Sequence, residues 1–247
     1  MHKKIIIKLS GEALGNNSDG IGSALHKKTF KNSGVDFQAI DKIVSEIIPV
    51  YKKGISIGIV IGGGNIWRGC VDGKLIDKTV ADYIGMTATL INGMILSERF
   101  KSKNISSKVF SSFAVGNFLQ QFTLEKIDNA WKNKNIIIMV GGTGRPHFTT
   151  DTAAAIFAVE SKAELILKAT NVDGLYDDDP KKNPDAKFIK EISYDNVIKK
   201  NLKVMDIAAF SLCRNHKIEI VVFNFNKSGN ILKAALGENI GSAIRCK

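Results

Sequence analysis

Apolar residues recur along this chain in two periods. Short unbroken β-branched runs alternate with longer stretches whose apolar positions fall three and four apart, a pattern that predicts strands alternating with helices. The runs lie at residues 5–8, 57–61, 107–110, 136–140, 165–168 and 218–225, with an edge strand at 243–245. Runs without alternating polar residues predict strands covered on both faces. Asp36 suits the N-cap of a helix whose apolar positions are Phe37, Ile40, Val44, Ile47 and Tyr51, kinked or cut short by Pro49. A second helix is expected at 81–100, where Met86, Leu90, Met94 and Leu96 stand among small residues. Gly85, Ala88 and Gly93 suit the close approach of another helix, at a subunit interface or in ordinary interior packing. Further helices are expected at 123–132, from Thr149 onward, at 206–216 and at 231–236, while residues 16–35 read as a long mobile loop. Strand and helix alternate throughout, which predicts an α/β fold with a doubly covered parallel sheet. No repeat or linker divides the chain, so residues 1–247 are expected to form a single domain.

The strands end in unusual turns. In IGIVIGGGNIWRG, residues 57–69, an apolar run stops at Gly62, Gly63 and Gly64. A plain turn rarely needs three glycines, whereas a phosphate held by backbone amides at the start of a following helix would use them. In GGTGRPHFTTDTAAAIFAVE, residues 141–160, Thr149, Thr150 and Asp151 suit a helix cap. The upstream Gly142, Gly144, Arg145, Pro146 and His147 make a more elaborate loop than capping requires, and it should lie at the same sheet edge. Lys8 and Lys168 each end a strand; such lysines are solvated or face the rim where parallel sheets bind ligands. In ATNVDGLYDDDP, residues 169–180, Tyr176 and Asp179 sit in a loop able to close over a planar ring. Its three successive aspartates lack calcium-loop spacing and read as a solvated turn. No GxxxxGK followed by Ser or Thr is present, and the third glycine of a dinucleotide fingerprint is replaced by Trp67.

Composition narrows the partners. The formal charge is +11 at pH 7, but the lysines are spread, and the pairs Lys181-Lys182 and Lys199-Lys200 carry no interleaved aromatics. That suits a solvated surface attracting small anions better than a nucleic-acid interface. Cys70, Cys213 and Cys246 form no paired motif, and a reducing cytoplasm fits them. No run approaches the ~20 apolar residues of a membrane span. The start, MHKKIIIKLSGE, is interrupted by Lys8 and reads as a first strand rather than a leader.

Taken together, KLSGEA from Lys8, IGGGNIWRG from Ile61, GTGRPHFTTDTAA from Gly142, LKATNVDGLYDDDP from Leu167 and KVMDIAAF from Lys203 resemble the bacterial uridylate (UMP) kinases of the amino-acid kinase family. The resemblance implies a three-layer α/β/α sandwich with a mainly parallel central sheet. It implies transfer of the ATP γ-phosphoryl group to UMP, giving UDP and ADP with Mg2+, in pyrimidine nucleotide biosynthesis. It also implies a cytoplasmic homohexamer, with GTP or UTP as candidate effectors. By the same resemblance Lys8, Arg68, Lys168 and Asp151 are catalytic, Asp151 orienting the lysines. Lys8, Leu9, Ser10, Gly11, Gly64, Arg68, Thr170, Asn171, Tyr176 and Asp179 would hold ATP. Gly63, Arg68, Asp82, Thr143, Gly144, Arg145, Pro146, His147, Phe148, Thr149 and Thr150 would hold UMP. Arg145 and His147 depart from the family's usual asparagine and aromatic at these places.

Overall fold

Strands built from uninterrupted apolar residues must be covered on both sides, and this requirement sets the architecture. The computed structural model describes residues 2–15, 34–67, 76–178, 180, 182–202 and 204–246. In chain order they form β1 (Lys4–Leu9), α1 (Phe37–Lys52), β2 (Ser56–Ile61), α2 (Lys78–Lys101), β3 (Ser107–Ser111), β4 (Gln120–Gln121), α3 (Leu124–Lys132) and β5 (Ile136–Val140). There follow α4 (Thr150–Ser161), β6 (Leu165–Thr170), β7 (Leu175–Tyr176), β8 (Phe188–Ile189), β9 (Glu191–Ser193), α5 (Tyr194–Lys199), α6 (Ile207–Asn215), β10 (Glu219–Asn224), α7 (Asn230–Ala235) and β11 (Ser242–Arg245).

The nine-stranded sheet has the order β4-β3-β5-β2-β1-β6-β10-β11-β9. Its pairings are parallel except β10 with β11. Successive side chains point to opposite faces. Ile5, Ile7 and Leu9 of β1 join a core with α1, α2 and α7. Ile6 joins a second core with α3, α4, α5 and α6. The result is a three-layer α/β/α sandwich with a mainly parallel central sheet.

Several local expectations are corrected. The segment expected at the edge, β11, pairs with β10 on one side and β9 on the other, so the edge passes to β9, in a stretch that carried no strand signal. Asp36 does cap α1, accepting from Gln38 N at 2.8 Å and Ala39 N at 3.2 Å. The helix nevertheless runs past Pro49 to Lys52, so the proline removes the bond its N–H would have made to Ser45 O without ending the helix. Phe37 is 58% exposed, and Ile43 and Val50 take inward places instead. Among the described residues, Ile66 N and Trp67 N close a turn onto Gly63 O, and the next described helix, α2, begins at Lys78. The expected loop at 16–35 falls mostly on residues 16–33, outside the described residues.

The small residues of α2 meet the sheet and the glycine turn rather than another helix. A Cβ on Gly93 would lie 2.2 Å from Val140 Cγ1, and one on Gly63 would lie 2.6 Å from Gly85 O and 2.9 Å from the Ala88 Cβ. Gly93→Ala therefore tests this contact. Overpacking against β5 costs about 1–3 kcal/mol and outweighs the ~1 kcal/mol gained in helix propensity. A lowered denaturant midpoint with unchanged m is the expected result.

Candidate active site

The centre of the site follows from register. β1 and β6 are parallel neighbours, and Lys8 lies directly beside Lys168. Both are at even positions, so both leave the sheet on the α4 side, where Ile6 and Ile166 lie in the α3–α6 core. Opposite them Asp151 sits in the first turn of α4. Its carboxylate receives Lys168 Nζ at 2.5 Å on Oδ2 and Lys8 Nζ at 2.8 Å on Oδ1. All three side chains are buried, with Lys8 at 7%, Lys168 at 8% and Asp151 at 9% exposure.

Burial opposes the charge on Asp151, yet the two ammonium groups and their hydrogen bonds prevail and hold its carboxyl below the ordinary 3.8. Its place at the positive end of a helix acts in the same sense. For Lys168, burial and the charge of Lys8 outweigh the attraction of Asp151, so its pKa falls below 10.5. One carboxylate thus holds two cations side by side at the carboxyl edge of a parallel sheet, where such folds bind ligands.

A second carboxylate, which sequence reasoning passed over, fixes the frame. Asp206 Oδ2 accepts from Thr149 Oγ1 at 2.5 Å and Thr152 Oγ1 at 2.6 Å, while Oδ1 caps α6 by accepting from Ala209 N at 2.8 Å. From the same segment Val204 O accepts from Lys168 Nζ. Only the N-cap signal before α6 marks this aspartate in the sequence; its side-chain partners lie more than fifty residues away.

The two glycine-rich turns follow neighbouring strands, β2 and β5, and share a cleft of about 160 Å³. Gly63, Gly64, Asp82, Arg145, Phe148 and Thr150 line it, together with Trp67, Met86 and Gly142. Gly141, Gly142 and Gly144 have φ of +83°, +58° and +74°, a region that favours glycine. His147 shares that region at φ +68°, and its backbone N donates to Asp82 Oδ2 at 2.8 Å. Its ring nitrogen Nδ1 stands 3.8 Å from the same carboxylate oxygen.

The model of the amino acid kinase family matches residues 3–224. The chain belongs to the amino acid kinase family. Within that family it is 42% identical to the uridylate kinase of Wigglesworthia glossinidia brevipalpis, covering 99% of this chain and 97% of that one. It is 40% identical to the uridylate kinase of Buchnera aphidicola subsp. Baizongia pistaciae, covering 98% and 96%. The UMP kinase from Bacillus anthracis superposes with a TM-score of 0.90 at 33% identity, covering 99% and 96%. That from Ureaplasma parvum gives 0.88 at 35% identity, covering 99% of both chains.

On the amino acid kinase fold, the residues singled out from sequence sort into three places. Lys8, Lys168 and Asp151 meet, and Gly11 joins the glycine turn so closely that a Cβ there would lie 2.2 Å from Gly64 N. Leu9 has its side chain wholly in the core, and its carbonyl accepts from Gly62 N at 3.0 Å, which anchors the turn. Ser10 stands between, as cap of the short 3-10 turn Gly11–Leu14. Gly63, Asp82, Arg145, Phe148 and Thr150 share the cleft. Around them, Thr143 Oγ1 bonds both Arg145 N and Arg145 O, and Thr149 caps α4. Gly144 packs on Ser112, and Pro146 links Arg145 to His147. Thr170 and Asn171 lie at the end of β6, Asn171 Oδ1 accepting from Asn226 Nδ2 at 3.2 Å. Tyr176 lies in the β7–β8 hairpin, its ring edge-on to Phe188 at 5.5 Å rather than in an open loop. Arg68 and Asp179 lie outside the described residues.

Because the pKa of Asp151 is lowered on folding, the unfolded chain binds more protons between the folded value and 3.8. Its stabilisation is complete above that window and is lost as pH falls through the folded value. Asp151→Asn should lower stability at neutral pH by about 3–5 kcal/mol, since two buried cations then face each other. It should also flatten the acid limb of stability against pH, checked by urea titrations across that range.

Proposed function

We propose that this chain is a nucleoside monophosphate kinase that transfers the γ-phosphoryl group of ATP to UMP, giving UDP and ADP. The observation that carries the reading is the pair of strand-end lysines held by one carboxylate beside two glycine-rich turns. The relatives named uridylate kinase over nearly their full length support the acceptor.

The acceptor sets the chemical demand. A phosphate monoester with a second pKa of ~6 is largely dianionic at neutral pH and attacks without a general base. The difficulty is repulsion between two polyanions, and the remedy is fixed positive charge in line with the transfer. Lys8 and Lys168 supply it, and Arg68 adds to it in this reading. Asp151 keeps both ammonium groups in place before substrate arrives, so little reorganisation remains during reaction. Ser10, Gly11 and Gly64 would hold the ATP phosphates, and Thr170, Asn171, Tyr176 and Asp179 would hold the adenosine. Gly63, Asp82 and residues 143–150 take UMP, Asp82 toward the ribose. Mg2+ would enter with the ATP phosphates and offset part of their charge.

The reading places the enzyme in pyrimidine nucleotide biosynthesis, in the cytoplasm, as a homohexamer open to nucleotide effectors such as GTP or UTP. No described helix is long and apolar enough to cross a membrane.

ADP release should be fast with UMP, slow with CMP and absent with acidic carboxylates; preference for a carboxylate would move the chain to another branch of its family. Lys8→Ala should lower kcat by about 100-fold or more, as for loss of one transition-state donor, and near-normal turnover would remove the role given to Lys8. The rate should rise through the acceptor's second ionisation near ~6 and then level off. It should fall again as Lys168 loses its proton, at a pH below 10.5. A continued rise across the plateau would reveal a general base.

A further inference from the structure

Beneath the triple-glycine turn two buried asparagines form a reciprocal amide pair. Asn65 is 1% exposed and Asn92, on the inner face of α2, is 0% exposed. Asn92 Nδ2 donates to Gly62 O at 2.8 Å and to Asn65 Oδ1 at 2.7 Å. Asn65 Nδ2 donates to Asn92 Oδ1 at 3.0 Å and to Gly34 O at 3.1 Å. Each amide nitrogen faces a backbone carbonyl, which fixes the orientation of both groups, and all four side-chain N–H donors are used. Gly34 N closes the ring by donating to Asn65 O at 2.6 Å.

We infer that Asn65 and Asn92 are positioning residues for phosphoryl transfer: their amide pair fixes the Gly62–Gly64 turn against β1 and α2 and thereby sets where its backbone meets the transferring group. The inference rests on the kinase reading above. Three contacts show how little play the turn has. A Cβ on Gly62 would lie 2.7 Å from Gly11 N, and one on Gly11 would lie 2.9 Å from Asn65 Oδ1. The Gly63 backbone is pressed against Gly85 O and Ala88. Packing of this kind limits distance, but it does not prevent the peptide planes from rotating. The hydrogen bond from Asn92 to Gly62 O does, because a carbonyl held in direction holds the peptide plane leading into Gly63. Gly63 and Gly64 both line the cleft that holds Asp82 and Arg145, and a misplacement of about 1 Å at a reacting group can cost ~100-fold in rate.

An ordinary buried amide would affect stability alone, and this one should affect the chemical step. Asn92→Asp keeps the shape but sets a carboxylate oxygen against Gly62 O and Asn65 Oδ1, three acceptors with no donor between them. Steady-state kinetics well below the melting midpoint should show kcat reduced by about 10- to 100-fold, with KM for ATP and UMP each within about threefold of wild type. The deficit relative to wild type should shrink as pH is lowered, since a protonated carboxyl can again donate to Gly62 O. Asn92→Ser, which leaves room for a bridging water, serves if the first variant does not fold and should show the same loss of kcat without the recovery at low pH. A folded variant with kcat within twofold of wild type overturns the inference, as does a rise in KM at unchanged kcat. Wild-type turnover of UMP measured in parallel separates this failure from failure of the kinase reading.

Discussion

Everything in the site depends on one buried carboxylate facing two ammonium groups. Two lysines side by side on adjacent strands repel each other, and burial raises the cost of both charges. Asp151 makes the arrangement tolerable, and its position at the start of a helix adds the favourable end of the helix dipole. The net charge of the cluster remains +1, counting two ammonium groups against one carboxylate. That surplus is what a pair of negatively charged nucleotides would meet. A protein built for stability alone would gain nothing from it, since a buried ion cluster is weak support for a fold.

The surrounding structure can be understood as the means of holding this cluster still. Asp206 joins the starts of α4 and α6 through two threonine hydroxyls and a backbone N–H. The segment leading to it brings Val204 O to Lys168. On the far side of β1, the glycine turn is seated against Gly11 and α2 by backbone contact and by the amide pair. Catalytic geometry thus comes from the ends of β1, β2, β5 and β6, strands that are almost wholly buried.

Much of this was legible in the sequence, and what was missed has a common cause. Uninterrupted runs such as IIIMV and glycine clusters after them are local signals, so the strands and the two turns stand out. The convergence of Lys8 and Lys168 on the rim followed from their places at strand ends. Their common tie to Asp151 came from family resemblance rather than spacing, because nothing local reports which strands are neighbours. The same blindness hid Asp206, whose cap role is visible and whose threonine partners are not. It hid Asn65 and Asn92 too, which look like ordinary polar residues until the turn and helix meet. At β7, β8 and β9 the strands are two or three residues long, too short for any period to show. The small residues of α2 were visible, but composition alone could not say whether a helix, a sheet or a loop lay against them.

The pairing of Lys8 with Lys168 has a bearing on which sequence changes this fold can absorb. Side chains alternate along a strand, so losing or gaining one residue within β1 ahead of Lys8 would move its lysine to the α1 side of the sheet while leaving an apolar neighbour, Leu9 or Ile7, facing Asp151. An apolar layer would then hold a stranded cation, and the aspartate would keep a single counterion. Insertions and deletions should therefore accumulate in the connections and spare β1 and β6, whose lengths carry catalytic information independent of their composition.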